Sequence, residues 1–197
     1  AEHVKKTTGK ETWLYSADKG SMDTIIPHIK LGLIKPIEML NTDPFMFLNK
    51  AANGFVRDDK GKWVKGDLKN VGMIAIEGIR SFAEELLMWQ ADKAAIGINI
   101  GGGSNIQFDV VSEGEVLKIG GSNQAHYKVC QDRMTKEIWT SLKLPVPYVM
   151  WTSSVSKDES NVSSGKIVGP DVIGKALTEE VVRWFGRVYR IDFVPAQ

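Results

Sequence analysis

The sequence VGMIAIEG, residues 71–78, decides the fold class of this chain. Its opening six residues form an uninterrupted apolar run, which is typical of a parallel β-strand covered on both faces. The run ends in Glu77 and Gly78, where such a strand would turn into the next element. The residues that follow predict an amphipathic helix, with apolar side chains at helical spacing at Ile79, Phe82, Leu86 and Trp89. We therefore predict a strand–helix unit of the kind that builds α/β domains.

Similar units lie on both sides of this stretch. Apolar segments predict further strands at 12–17, 35–40, 147–153 and 187–194. Helical spacing, proline positions and capping residues predict helices over 22–33, 44–53 and 122–142, and a last helix with Thr178 as its N-cap. Strands that alternate with helices imply βαβ units. The predicted fold is therefore α/β, with a mostly parallel sheet flanked by helices.

Two segments interrupt the alternation of strands and helices. Residues 54–67, GFVRDDKGKWVKGD, predict a solvated hairpin with its turn at 59–61. Residues 97–123 are rich in glycine and predict an insertion or a flexible loop, in which FDVVSEGEVLKI alternates around Glu113 and Gly114 as a hairpin would. We assign residues 1–197 to a single domain that carries this insertion.

The composition excludes several classes of protein. The 197 residues carry a formal net charge of +1, so no global field draws the chain to nucleic acid or to a membrane, although a local basic patch stays open. The single cysteine, Cys130, excludes an internal disulfide and a cysteine-rich metal site, and we expect it to be buried. No apolar run approaches the ~20 residues that a membrane span needs. We therefore expect a cytoplasmic protein with no membrane partner.

Three predicted strands end in side chains that suit phosphate chemistry. The strand at 12–17 ends at Asp18, the strand at 71–76 ends at Glu77, and the strand at 147–151 ends at Thr152 and Ser153. In open α/β sheets, ligands bind beyond the carboxyl ends of the strands. A carboxylate there can hold Mg²⁺, a second can orient or deprotonate an attacking water, and a polar group on a third strand can sense a γ-phosphate. These positions indicate a nucleotide triphosphatase site; the alternative is a set of ordinary acidic and polar loop residues.

Three segments of the chain resemble RecA-type ATPases. Residues 13–34, WLYSADKGSMDTIIPHIKLGLI, resemble the second strand and following helix of that family. Residues 71–82, VGMIAIEGIRSF, resemble its Walker B strand and helix, with Glu77 where aspartate is usual. The resemblance is strongest to RecA-like NTP-binding proteins of bacteriophages, in which a late Gly-Pro-x-x-x-Gly-Lys-Ala-Leu-Thr segment is familiar, and this chain has that segment at 169–178. The resemblance covers nearly the whole chain.

The resemblance implies a RecA-like P-loop NTPase core, an ATP-binding ATPase of phage type that acts in DNA recombination, replication or packaging. It implies that Asp18 orients or activates water and that Glu77 holds the Mg²⁺ shell, while Thr152 or Ser153 senses the γ-phosphate. With phosphate present, Ser21 joins these side chains around one Mg²⁺. The implied cofactors are ATP and Mg²⁺. The implied partners are single-stranded DNA and either further copies of the chain or other phage proteins, in the host cytoplasm.

The sequence departs from the family at the phosphate-binding loop. No complete Walker A motif, G-x-x-x-x-G-K-[ST], precedes Asp18, and residues 1–8 resemble the end of the helix that follows that loop, with Gly9 as its C-cap. We therefore expect the chain to be cut shortly after its phosphate loop, to lack the central strand of the sheet and to show no ATP turnover as it stands. One alternative is a non-catalytic structural or assembly protein on the same scaffold, and another is an unrelated α/β protein that binds a nucleotide or polynucleotide through residues 169–175.

Two further segments keep alternatives open. Gly169 to Ala176 fit G-x-x-x-x-G-K with alanine in the hydroxyl position, so Lys175 could contact nucleotide or a neighbouring subunit. Against a phosphate loop, Ala176 cannot ligate Mg²⁺ and Pro170 has no N–H, which favours a turn with Lys175 in solvent. In the hairpin at 54–67, Trp63 stands among lysines and resembles a small single-strand-binding patch, or is part of a solvated hairpin. The glycine-rich segment lies where RecA-type proteins carry DNA-contacting loops.

Overall fold

A computed structural model describes the protein over residues 1–17, 20–39, 43–95, 106–112, 115–121, 124–158, 167–172 and 180–189. Its helices are α1 (Glu2–Thr8), α2 (Ile26–Lys30), α3 (Pro44–Ala52), α4 (Ile79–Ala95) and α5 (Gln124–Ser141). Its strands are β1 (Glu11–Ser16), β2 (Ile34–Glu38), β3 (Phe55–Arg57), β4 (Trp63–Lys65), β5 (Val71–Glu77), β6 (Ile106–Ser112), β7 (Glu115–Gly121), β8 (Tyr148–Trp151), β9 (Val155–Asp158) and β10 (Ile167–Pro170). Short 3₁₀ turns lie at Gly20–Ile25, Leu68–Asn70 and Val182–Trp184.

A four-stranded parallel sheet of order β2-β1-β5-β8 forms the centre of the fold. Its four strands run in the same direction and are hydrogen-bonded neighbours throughout, which confirms the predicted α/β class with a parallel sheet. The expected gap, left by a missing central strand, is not present between these strands, so that expectation was wrong for the described sheet. A further strand could join this sheet only at an outer edge.

The strand quoted first, β5, is covered on both faces, as its apolar run predicts. Ile74 and Ile76 belong to the larger apolar cluster, which α3, α4 and α5 complete with Phe47, Phe82, Leu86, Met134 and Ile138. Ala75 points to the other face and packs with Leu14 and Met22 in a smaller cluster. Helix α1 packs against β1 and β5. The larger cluster is the main core of the domain because it holds most of the fully buried large side chains.

Several local predictions are confirmed. Helix α1 ends at Gly9, whose φ of 70° places it in the left-handed conformation that glycine adopts at helix C-caps. Pro44 occupies the first turn of α3, as predicted, and the structure adds Asp43 as the N-cap, which accepts a hydrogen bond from the backbone N–H of Met46 at 3.1 Å. Cys130 is buried, and its burial raises the pKa of the thiol to about 12.

Both predicted hairpins are present. Strands β3 and β4 pair antiparallel around a turn that includes Gly61, whose φ is 74°. Strands β6 and β7, seven residues each, pair antiparallel within the glycine-rich region and pack against α4. We predicted residues 97–123 to be an insertion or a flexible loop with a hairpin-like pattern, and the structure has the two strands of a hairpin at 106–112 and 115–121. Residues 96–105 lie outside the described part of the chain.

The structure differs from the prediction in three places. The helix predicted over 22–33 is a 3₁₀ turn followed by the five-residue α2, which includes Pro27 in its first turn and ends shortly before Gly32 at φ 64°. Residues 155–158 and 167–170, for which we predicted no strand pairing, form the antiparallel pair β9–β10. Residues 187–189, the start of the predicted last strand, are not in a strand, and 190–194 lie outside the described residues. Among the described helices, none combines the length and the apolar character that crossing a membrane requires.

Candidate functional site

The carboxyl ends of β1, β5 and β8 meet at one edge of the parallel sheet. Ser16 at the end of β1 lies in register with Glu77 at the end of β5. Ile76 lies in register with Trp151, so Thr152 follows directly beside Glu77. The structure therefore brings together the predicted side chains of the second and third strand ends. Asp18 lies outside the described residues, and Ser21 is described only as backbone in the 3₁₀ turn at Gly20–Ile25.

Thr152 fastens the turn between β5 and α4. Its hydroxyl oxygen accepts a hydrogen bond from the backbone N–H of Gly78 at 3.0 Å. Its own backbone N–H donates to the carbonyl of Ile76 at 3.1 Å, and its carbonyl accepts from the N–H of Ile79 at 2.9 Å. Gly78 has φ 84°, a left-handed conformation that permits the sharp turn after Glu77. Three hydrogen bonds thus fix the direction in which Glu77 leaves the strand.

Ser153 and Ser154 form hydrogen bonds to Asp171, the residue that follows β10. The hydroxyl of Ser153 donates to the carbonyl of Asp171 at 2.8 Å, and the backbone N–H of Asp171 donates to the carbonyl of Ser154 at 2.6 Å. The hydroxyl of Ser154 lies 3.4 Å from Oδ2 of the same aspartate. Asp171 directly follows β10, so these contacts hold the β9–β10 hairpin against the carboxyl end of β8.

Arg80 connects the hairpin to the first turn of α4. Its Nη1 donates to Oδ1 of Asp171 at 2.8 Å, and its Nε forms an ion pair with Glu84 one helical turn later. The hydrogen bond to Glu84 has the largest effect and raises the pKa of the Arg80 guanidinium above its ordinary value. Burial acts in the opposite direction, and the hydrogen bond to Asp171 raises the pKa again. A permanent cation therefore stands three residues from Glu77, at the same edge of the sheet.

The sequence interpretation missed Arg80 and Asp171. Both belong to quoted segments, VGMIAIEGIRSF and GPDVIGKALT, yet their contact spans 91 positions of the chain. The signal available in the sequence was the charge pair itself, an arginine just after one strand end and an aspartate just after an apolar pair. Nothing in the spacing indicated that the two would meet.

Glu77 is the predicted metal ligand that the structure describes at this edge. Glu77 is half-buried, and a carboxylate oxygen is the kind of ligand that Mg²⁺ takes, directly or through water. Ser153 is poorly placed to donate to a phosphate because its single O–H already donates to the backbone carbonyl of Asp171. Among the described residues, no group of three or more histidine, cysteine, aspartate or glutamate side chains is placed to hold a metal ion. The described residues therefore fit Mg²⁺ through Glu77 alone. Water and phosphate would supply the other oxygen ligands of the metal.

The near-match to a phosphate loop at 169–176 does not have the required geometry at its start. Gly169 and Pro170 are strand residues of β10, paired with Ser156 and Val155 of β9. A phosphate-binding loop places its first glycine in the turn between a strand and a helix. The interpretation of this segment as a degenerate phosphate loop is therefore wrong at its first two positions, and Lys175 lies outside the described residues.

Comparison with known proteins adds no relative. No protein-family model, no curated protein and no solved structure matches this chain.

Proposed function

We propose that this chain is the nucleotide-binding core of a RecA-like ATPase of bacteriophage type, acting in DNA recombination, replication or packaging. The observation that carries the proposal is the position of Glu77, at the end of a buried parallel strand and beside Thr152 on the next strand. Ligands of open α/β sheets bind at this edge, beyond the carboxyl ends of the strands. The proposed cofactors are ATP and Mg²⁺, and the proposed partners are single-stranded DNA and further copies of the chain or other phage proteins.

In this proposal, each side chain at the edge has a limited role. Glu77 holds the water shell of Mg²⁺, which in turn neutralises phosphate charge. Thr152 orients Glu77 through the turn at Gly78, and Arg80 holds the β9–β10 hairpin at the same edge through its ion pair with Asp171. Asp18 is proposed to orient water. Hydrolysis also requires a phosphate-binding loop, which the 197 residues do not contain in complete form, so we expect no ATP turnover by this chain alone.

A second function, that of a non-catalytic structural or assembly protein, is favoured by a specific observation. The hydroxyl of Thr152 accepts from the backbone of Gly78, and the hydroxyl of Ser153 donates to the backbone of Asp171. Both side chains predicted to sense a γ-phosphate thus hold the fold together. A site that has kept its scaffold but uses its sensors for structure is what an assembly protein on this fold would show.

Magnesium-dependent ATP binding tests the two functions. In isothermal titration calorimetry with the chain and ATP, we expect Mg²⁺ to strengthen binding, and we expect Glu77→Gln to weaken binding about tenfold or more because a charged ligand to the metal shell is lost. Glu85→Gln, at a half-buried position in the middle of α4, removes the same charge outside both proposed binding sites and serves as the matched control. Binding that is absent, or equally insensitive to both substitutions, would favour the assembly function.

Two further results would decide between the functions. A G-x-x-x-x-G-K-[ST] motif encoded directly upstream of Ala1 would support the ATPase, and a start codon there would support the assembly protein. ATP hydrolysis by the chain alone that Glu77→Gln abolishes would contradict our expectation that turnover requires a phosphate loop.

A further inference from the structure

In and around the β3–β4 hairpin, basic residues outnumber acidic ones, so the region has a net positive charge. The basic residues are Lys35, Lys50, Arg57, Lys60, Lys62, Lys65 and Lys69, and the acidic residues are Glu38, Asp58, Asp59 and Asp67. Within the described parts of the chain, none of Lys35, Lys50, Lys60, Lys62, Lys65 and Lys69 has a carboxylate oxygen within 4.0 Å in an ion pair. The hairpin carries three aspartates, Asp58, Asp59 and Asp67, and two of them accept hydrogen bonds from the backbone of the turns. Oδ1 of Asp58 accepts from the backbone N–H groups of Lys60 and Lys62 at 3.0 and 2.8 Å, and Oδ1 of Asp67 accepts from that of Lys69 at 3.1 Å. The region is therefore a positively charged surface.

Aromatic rings lie beneath two of these lysines, Lys50 and Lys65, and beneath Arg57. Lys50 Nζ lies 4.2 Å and Lys65 Nζ 5.1 Å from the ring centroid of Phe55. The guanidinium carbon of Arg57 lies 4.7 Å from the centroid of Trp63. These distances are within the range of cation–π attraction. We name the surface formed by Lys35, Lys50, Phe55, Arg57, Trp63 and Lys65 the hairpin face.

A cavity of about 310 Å³ opens beside the hairpin face. It lies between the hairpin and the outer edge of β2, and its lining residues are Lys35, Pro36, Ile37, Glu38 and Arg57. Its floor is apolar, two cations stand at its rim, and the Glu38 carboxylate can accept a hydrogen bond from an amino group. This combination suits a flat heterocycle with an amino group that is attached to an anion.

The edge of β2 is closed to strand addition, so the cavity is not a place for a peptide strand. The N–H of Thr12 donates to the carbonyl of Leu33 and the N–H of Met39 donates to the carbonyl of Ser16, so odd-numbered residues of β2 face β1. Pro36 therefore faces outward, and it has no N–H to offer to another strand. A ligand at this edge is therefore recognised by side chains and carbonyl oxygens, because Pro36 offers no backbone N–H.

We propose that the hairpin face binds single-stranded nucleic acid, with bases stacked on its rings and one base in the cavity at β2. A cation resting on an aromatic face can move to a phosphate while a base takes its place on the ring, so binding exchanges one favourable contact for two. A single strand can present its bases in this way, whereas in a duplex the bases are stacked on each other. The inference locates the nucleic-acid partner of the proposed function, but it rests on the charges and rings of this surface and not on nucleotide chemistry.

Fluorescence anisotropy with a labelled oligodeoxycytidylate of about 15 nucleotides tests the inference in the absence of ATP and Mg²⁺. For Lys35→Ala/Lys65→Ala we expect binding at least about tenfold weaker, and a salt dependence of log K reduced by about 1.4, from two phosphate contacts at about 0.7 each. Lys5→Ala/Lys6→Ala, exposed on α1, removes the same net charge outside the hairpin face and should change affinity less than about twofold.

Stacking is tested separately from charge. Phe55→Leu keeps an apolar side chain and removes the ring, and we expect it to weaken binding at least about fivefold. If that variant does not fold by circular dichroism, Phe55→Met, which also removes the ring without changing charge, replaces it, with the same expected loss. Equal losses in the α1 control, equal affinity for a duplex of the same length, or equal competition by polyglutamate would overturn the inference. Because the assay contains neither ATP nor Mg²⁺, such a failure leaves the ATP-binding proposal untouched.

Discussion

The hydroxyl of Thr152 has two possible roles, holding the turn after β5 or contacting a bound phosphate, and these predict different effects of mutation. Thr152→Val keeps the shape of the side chain but leaves the N–H of Gly78 without its acceptor at 3.0 Å. We expect unfolding free energy to fall by about 1–3 kcal/mol in urea titrations, because the partly buried N–H loses its hydrogen bond. Thr152→Ser keeps the oxygen and should lose less than half as much. A stable Thr152→Val protein would show that the hydroxyl is not a structural anchor.

At the scale of single residues, the sequence predicts strand-end groups better than it predicts their partners. Glu77 and Thr152 were located because each directly follows an apolar strand, and parallel strands bring their carboxyl ends to one edge. The contact of Arg80 with Asp171 depends on β9–β10 folding back across the end of β8. That return is a tertiary event, since the polar residues of β9 give no apolar pattern from which a strand could be predicted.

At the scale of elements, the packing of α3 on α5 includes a buried charge. Glu137 on α5 is fully buried, and its Oε1 lies 2.9 Å from Nε of Arg133 and 3.2 Å from Nδ2 of Asn49 on α3. Removing one member of a buried pair leaves the other charge without compensation. We expect Glu137→Leu to lower the unfolding free energy by about 3 kcal/mol, measured by thermal or chemical denaturation.

A double variant separates the uncompensated charge from the loss of packing. Glu137→Leu/Arg133→Met removes both members of the pair and keeps apolar volume at the α3–α5 contact. We expect it to recover most of the stability that Glu137→Leu alone loses, because well-packed apolar groups often replace a buried ion pair without cost. A double variant as unstable as the single one would indicate that the hydrogen bonds from Asn49 to Glu137 matter more than the ion pair.

The elements that the sequence predicted correctly are those with a strong local signal. Strand β5 has an unbroken apolar run, α3 has Pro44 at its start, and the hairpin turn at Gly61 needs a positive φ. The helix predicted over 22–33 was too long because apolar spacing outweighed Pro27, which cannot donate a helical hydrogen bond. Local chemistry specified where elements begin and end; competition between signals produced the errors.

At the scale of the whole molecule, the two edges of the sheet differ. Pro36 faces outward from β2 and blocks further pairing there. The other edge strand, β8, has no proline or charged residue between Tyr148 and Trp151, and its Tyr148 and Met150 are 47% and 41% exposed. Natural sheets usually protect their edges, and among the described residues no strand pairs with the outer side of β8, so another strand can join at this apolar edge. A strand bearing a phosphate loop, which the proposed ATPase requires, would therefore join at β8.

Hydrogen exchange tests whether anything covers β8 in solution. The N–H of Thr152 donates to the carbonyl of Ile76, so the alternating ladder directs the N–H of Met150 to β5 as well, and it directs those of Val149 and Trp151 outward. For an uncovered edge, we expect the outward amides to exchange at least about tenfold faster than the two that face β5, measured by nuclear magnetic resonance. Equal protection of all four would mean that a strand lies against β8. Protection that disappears on dilution would assign that strand to a second copy of the chain, and protection independent of concentration would assign it to the same chain.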